Sequence, residues 1–168
     1  MALLEICAGT VESALNAQNA GADRIELCTE LSVGGLTPSK GMIEVVKELV
    51  QLPIYVLIRP RSGDFNYSSL EIEQMKEDIH FCAAMQCEGV VLGVLDEHRK
   101  INEDLTYELM QHAGFLDVTF HKAFDQTPNL FEALDTLKEL GIQRVLTSGG
   151  ESNVHLAHDR LGELIEEA

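Results

Sequence analysis

Basic residues are scarce in this chain: twelve Lys and Arg stand against 28 Asp and Glu over 168 residues, a formal net charge of -16. A surface of that sign repels nucleic-acid phosphates and anionic lipid headgroups, so neither nucleic acid nor membrane is expected as a partner. Long apolar runs are missing as well. No stretch approaches the roughly 18 residues that would suggest a membrane span. No Lys or Arg precedes Arg24, which leaves no basic n-region for a secretory signal and makes a cytoplasmic location the expectation. The four cysteines, Cys7, Cys28, Cys82 and Cys87, show no Cys-x-x-C spacing. In a reducing compartment they are expected as free thiols. No Ser/Pro-rich linker or low-complexity segment divides the chain, so residues 1–168 read as a single domain. Neither SVGGLTPSKG (32–41) nor LTSGGES (146–152) is a P-loop or a dinucleotide fingerprint.

What is present is alternation. Short apolar runs are predicted as strands at Leu3 to Cys7, Arg24 to Cys28, Ile54 to Arg59, Gly89 to Leu95, Asp117 to His121 and Arg144 to Ser148. Helices are predicted between and after them, at Thr10 to Ala20, Lys40 to Val50, Leu70 to Met85, Glu103 to Ala113, Leu130 to Leu140 and Val154 to Glu167. Gly21 and Gly141 follow helices, and Ser39 and Asn129 stand where N-caps belong. Six βα units in a row imply a parallel sheet with right-handed crossovers.

Face polarity separates an open doubly wound sheet from a barrel. Central strands of a doubly wound sheet are apolar on both faces. Here Leu4 and Ile6 alternate with Glu5 and Cys7, Ile25 and Leu27 with Glu26 and Cys28, and Val118 and Phe120 with Thr119 and His121. One parity is apolar and the other repeatedly polar. A TIM-type (β/α) barrel is therefore expected, with helices covering the apolar faces and reactive side chains at the C-terminal mouth.

Several residues on the polar parity can carry chemistry. Arg59 and Arg61, in IRPRSGDF (58–65), offer guanidinium forks to a carboxylate or phosphate. The alternative is that Arg59 neutralises Glu26 or Glu5 and Arg61 pairs with Asp64. His121, in TFHKAFD (119–125), can act as general acid or base, with Asp125 either orienting it or capping the loop. Glu5 and Glu26 are expected at equivalent heights on neighbouring strands, where two carboxylates raise at least one pKa unless a cation intervenes. Cys7 and Cys28 follow at matching heights, and converging thiolates suit Cu(I) or Zn(II). Buried cysteine is equally a packing residue, the expected role of Cys82 and Cys87. Ser148, Gly149 and Gly150 close the sixth strand in a turn that can present N–H groups to an anion.

Taken in order, LEIC, RIELC, SVGGLTPS, IRPRSGDF, VVLGVL, TFHKAFD and LTSGG resemble the CutC family, named for copper homeostasis. The resemblance runs from Leu4 to about Gly150 and implies a TIM barrel in a cytoplasmic protein, with Cu(I) as the ligand. It places Glu26, Arg59, Arg61, Asp64, His121 and Asp125 at the mouth, with Cys28 as the leading sulfur ligand; Cys7 joins it as a metal candidate from the strand pattern alone. Arg, His and carboxylate groups also fit a lyase or isomerase acting on a small carboxylate- or phosphate-bearing substrate, for which Glu26, Arg59, His121 and Asp125 are the catalytic candidates. Arg59, Arg61, Ser148, Gly149 and Gly150 are then the anion-binding candidates. The family continues for two further strands, so six units averaging 28 residues imply an incomplete barrel lacking its last two βα units. Its open edges are expected to be protected in a homodimer or higher homo-oligomer.

Overall fold

The computed structural model describes residues 2–168. Six parallel strands form one sheet in sequential order: β1 (Glu5–Ala8), β2 (Arg24–Leu27), β3 (Ile54–Leu57), β4 (Gly89–Leu92), β5 (Asp117–Phe120) and β6 (Arg144–Val145). The helices are α1 (Val11–Asn19), α2 (Lys40–Leu49), α3 (Ser69–Ala84), α4 (Glu103–Ala113), α5 (Leu130–Leu140) and α6 (His158–Glu167). The result is a half-barrel, with β1 and β6 as free edges. No helix is long and apolar enough to cross a membrane among the described residues.

Local chemistry sets the helix starts. The side chains of Thr10, Ser39, Ser68, Asn102 and Asn129 each accept a hydrogen bond from a backbone N–H of the following first turn, satisfying donors that the helix itself leaves orphaned. At Ser68 the cap is reciprocal, because Glu71 reaches back to the Ser68 N–H. Helix α5 ends on Gly141 at φ 81°, a conformation that glycine adopts without cost.

The alternating parity resolves into two layers. Ile25, Leu27, Ile54, Val56, Val90, Leu92, Val118 and Phe120 belong to the main core beneath the helices, each large side chain contributing about 1.5–3 kcal/mol by burial. On the opposite face Cys28, Tyr55, Leu57 and Val91 form a second, smaller cluster. At the N-terminal end of that inner face, Tyr55 lies between two guanidiniums, with Arg24 at 5.0 Å and Arg144 at 4.5 Å from its ring centroid. Arg24 pairs with Glu5 at 2.5 Å. Arg144 pairs with Asp117 at 2.9 Å, and the Tyr55 hydroxyl donates to the same carboxylate at 3.0 Å. Gly89 permits this arrangement, since a Cβ there would lie 2.4 Å from the Tyr55 ring. The belt therefore runs from the first strand to the last.

Register corrects one expectation. Glu5 pairs with Arg24, and Cys7 pairs with Glu26, so LEIC and IELC are offset by two residues rather than level. Parallel strands curling into a barrel are staggered, which sequence similarity between strands does not reveal. Glu26 thus has a thiol as its lateral neighbour on β1, and Glu5 takes Arg24.

Candidate functional site

The C-terminal ends of the strands enclose a pocket of about 160 Å³ lined by Cys7, Glu26, Cys28, Leu57, Arg59 and His121, with Leu31, Gly34, Gly35, Phe65, Lys122 and Leu146 completing its wall. It shares Gly34, Arg59, Phe65 and Lys122 with a wider groove at the mouth.

Arg59 is buried at 6% exposure. Its Nη1 donates to the carbonyls of Val33 (3.0 Å) and Gly35 (3.1 Å), and its Nη2 to that of Gly63 (3.0 Å), while the guanidinium lies 4.9 Å from the Phe65 ring centroid. One side chain thereby clamps the loops after β2 and β3. It forms no ion pair with Glu5 or Glu26, and its Nε remains buried without a partner. Arg61 turns away into its own loop. It pairs with Asp64 at 2.9 Å and Glu71 at 2.6 Å, and donates to the carbonyls of Ser62, Asp64 and Asn66. The expected Arg61–Asp64 pairing is present. The neighbouring acids hold the guanidinium firmly in its charged form; Arg61 in turn lowers the Asp64 carboxyl, while the Ser68 N–H, ahead of Arg61, lowers that of Glu71.

His121 is buried against Phe65, with ring centroids 4.8 Å apart. Gly93 makes the space, because a Cβ there would fall 2.5 Å from the imidazole. Nδ1 accepts from the Ala123 N–H at 3.1 Å, which leaves the proton on Nε2, and Nε2 has no partner. Burial first, and the Arg59 charge second, push this imidazole down to about 3. It is a neutral hydrogen-bond donor at physiological pH. Serving as a metal ligand through Nε2 would require moving that proton and breaking the Ala123 bond.

Asp125 does not orient His121. Its carboxylate accepts from Thr147 Oγ1, from the Ser148 N–H at 2.9 Å, from Ser148 Oγ at 3.0 Å and from the Gly150 N–H at 2.8 Å. Capping the loop, the second of the two roles open to it, is what the structure shows. The consequence reaches the expected anion cradle: the Ser148 and Gly150 N–H groups are taken by Asp125, and that of Gly149 by Thr147 Oγ1. The turn already holds an anion, its own.

Glu26, Cys7 and Cys28 make the acidic side of the pocket. Glu26 is 5% exposed, its Oε2 has no partner, and burial together with the Glu5 charge raises its carboxyl to about 7. Desolvation and the Glu26 charge push the Cys7 thiol up to about 12 and the Cys28 thiol up to about 11. The Cys28 thiol faces the Ala8 carbonyl at 3.8 Å. All four cysteines are free. Among the described residues no three His, Cys, Asp or Glu side chains converge as a metal site.

Cys82 and Cys87 are accounted for locally. Cys87 N–H donates to the Cys82 carbonyl and Gln86 N–H to that of Ala83, with Gln86 at φ 55°. This Schellman ending of α3 brings the two cysteines into its apolar contact. Sequence reasoning missed Phe65, which touches both Arg59 and His121, and Thr37, which accepts from the Arg59 N–H at 2.8 Å. Both lie in loops that periodicity does not reach.

The CutC family model matches residues 2–168. The copper homeostasis protein cutC homolog of Homo sapiens is 49% identical over 166 residues, and its Mus musculus counterpart is 46% identical, each match covering 99% of this chain. The chain spans 61% of the length of either relative. A family protein CutC of Xanthomonas axonopodis pv. citri is 46% identical over 98% of this chain and 69% of its own length. Among solved structures, a CutC-type protein of Streptococcus agalactiae superposes with a TM-score of 0.93 at 31% identity, covering 99% of this chain and 83% of that one. An oxaloacetate acetylhydrolase bound to oxalate superposes at 0.68 with 12% identity, over 99% of this chain and 63% of that one, a likeness of fold alone.

Proposed function

The chain belongs to the CutC family, and we propose that it serves copper homeostasis by binding Cu(I) in the cytoplasm, with Cys7 and Cys28 as its sulfur ligands. The observation that carries this reading is the placement of both thiols on one pocket beside a buried carboxyl whose Oε2 has no partner. Thiolates select Cu(I). At neutral pH both thiols hold their protons because burial and Glu26 oppose further negative charge, and a cation relieves that opposition while releasing the protons. A bis-thiolate Cu(I) centre has a net charge of about -1, which the buried Arg59 guanidinium favours. The free N–H groups of Arg59 and His121 line the same pocket and suit hydrogen bonding to a thiolate. With Arg61 committed to Asp64 and Glu71, one guanidinium rather than two bears on the metal. Anaerobic titration against a Cu(I) chelator is expected to show competition that weakens in Cys28→Ser. A chelator that keeps its copper at every protein concentration would refute the proposal.

A second reading has its own observation. Arg59 Nε and His121 Nε2 are buried donors without partners on a pocket that also holds a carboxyl titrating near 7, a set suited to proton transfer on a small carboxylate or phosphate. Glu26 is then the acid-base group, Arg59 and His121 bind the anion, and Asp125 supports the loop. Binding of short dicarboxylates, followed by the His121 imidazole resonances and abolished in His121→Phe, supports this reading; silence across millimolar ligand removes it. We also propose that a second copy of the chain covers the free edges at β1 and β6, where Leu3 and Leu4 are exposed. Light scattering at the monomer mass would refute that.

A further inference from the structure

The outer surface carries a second cluster, remote from the pocket. His80 on α3 and His112 on α4 approach with His80 Nε2 and His112 Nδ1 2.8 Å apart and ring centroids separated by 4.9 Å. His80 is exposed and His112 partly so. Carboxylates surround the pair: Glu73 and Glu77 precede His80 on the same helix, and Glu108 precedes His112 by one turn. The lone cation among them, Lys76, is already held by Glu73 at 2.6 Å and Glu108 at 2.7 Å. The surface therefore has a surplus of negative charge where two imidazole nitrogens meet.

We propose that His80 and His112 bind a divalent transition-metal ion of borderline softness, the class of Zn(II), bridging α3 and α4 through His80 Nε2 and His112 Nδ1. Imidazole nitrogens about 2.0–2.1 Å from a tetrahedral metal stand roughly 3.3 Å apart, so the observed gap opens by about half an ångström on metal entry. The other nitrogen of His80 is placed for support. Glu77 Oε1 lies 3.8 Å from His80 Nδ1, a small side-chain rotation from accepting its N–H. That is the carboxylate–histidine–metal arrangement that fixes tautomer and ring orientation. In the metal-free chain one proton lies between His112 Nδ1 and His80 Nε2, carried by whichever ring is the donor. On binding, that proton moves to the other nitrogen of the same ring, both imidazoles stay neutral, and waters fill the remaining coordination positions. Sulfur has no part in the site, which sets it apart from the Cys7/Cys28 pocket and makes it independent of the copper reading.

The test is equilibrium dialysis of Zn(II) against a Cys7→Ser/Cys28→Ser variant, which removes the pocket thiols. One Zn(II) per chain at roughly micromolar free zinc is expected, weakened about tenfold or more in both His80→Gln and His112→Gln and about tenfold in Glu77→Gln. Unchanged circular dichroism in these surface variants keeps the loss from being one of folding. Absence of binding up to millimolar zinc, or binding that survives both histidine substitutions, overturns the proposal.

Discussion

Replacing Glu26 by Gln removes a carboxyl that the fold keeps protonated, and the consequence for stability has a definite sign. In the folded chain this group holds its proton up to about 7, against an ordinary value of 4.5. Between those values the folded state binds more protons than the unfolded state, so stability falls as pH rises, by about 1.4 kcal/mol per pH unit and about 3 kcal/mol in all. The full stabilising contribution exists only below about pH 4.5. Gln is isosteric and uncharged, and so escapes the loss. Glu26→Gln and the parent chain are expected to melt together near pH 4.5, with the variant gaining steadily until, above about pH 7, it leads by about 3 kcal/mol, or about 6–12 °C for a chain of this size. Thermal unfolding followed by circular dichroism at fixed ionic strength, from about pH 4.5 to 8, measures that difference directly. The Cys7 thiol supplies an independent readout. Glu26 helps to raise it, so the variant should alkylate faster at Cys7. A stability difference that does not vary with pH, or a variant less stable at pH above 7, would refute the buried-carboxyl reasoning.

His121 acts in the opposite sense. Its depressed value means that the unfolded chain takes up a proton the folded chain refuses, so stability drops as pH falls below about 6.5, and His121→Phe should flatten that acid limb in urea titrations. Arg59→Lys loses the fork that joins the Val33, Gly35 and Gly63 carbonyls; a cost of about 2–4 kcal/mol is expected from the urea midpoint. Gly89→Ala places a methyl 2.4 Å from the Tyr55 ring and 2.7 Å from the Asp117 carbonyl and should destabilise by about 1–3 kcal/mol or more. Gly162→Ala in α6 meets nothing within 4 Å, and urea titration of both glycine variants should show a gain of about 0.5–1 kcal/mol for this one.

The parity of side chains along each strand made the layers legible: Ile25 and Leu27 had to leave Glu26 on the other face, and they do. Helices α4 and α5 match their predicted limits because their caps, Asn102 and Asn129, lie in sequence beside the first turn they serve. The predicted strands after the first run past the paired segments at their C-terminal ends. Arg59, His121 and Ser148 lie beyond the paired segments, where the chain opens to form the mouth and hydrogen bonding passes to loops. What sequence could not supply was the choice of partner across long separations. Arg59 had carboxylates within conceivable reach and bonds to carbonyls in two loops; Asp125, four residues from His121, reaches 22 to 25 residues along the chain to the turn after β6. Register is equally non-local, and so the pairing of Cys7 with Glu26 had no signature in either strand.

The belt of Glu5, Arg24, Tyr55, Arg144 and Asp117 has a mechanical consequence. It hoops the sheet at one end only, as a cask is hooped at its base, while the opposite rim is restrained chiefly by Arg59 and Asp125. Strands fixed in this way widen their far ends by splaying rather than by sliding, so the pocket can change volume without any strand slipping its pairing. The charged side chains at the base stay partly open to solvent, Arg144 and Asp117 among them, whereas Arg59 at the rim is buried. Added salt should therefore weaken the ion pairs of the belt before it loosens the buried Arg59 clamp, which bonds to neutral carbonyls.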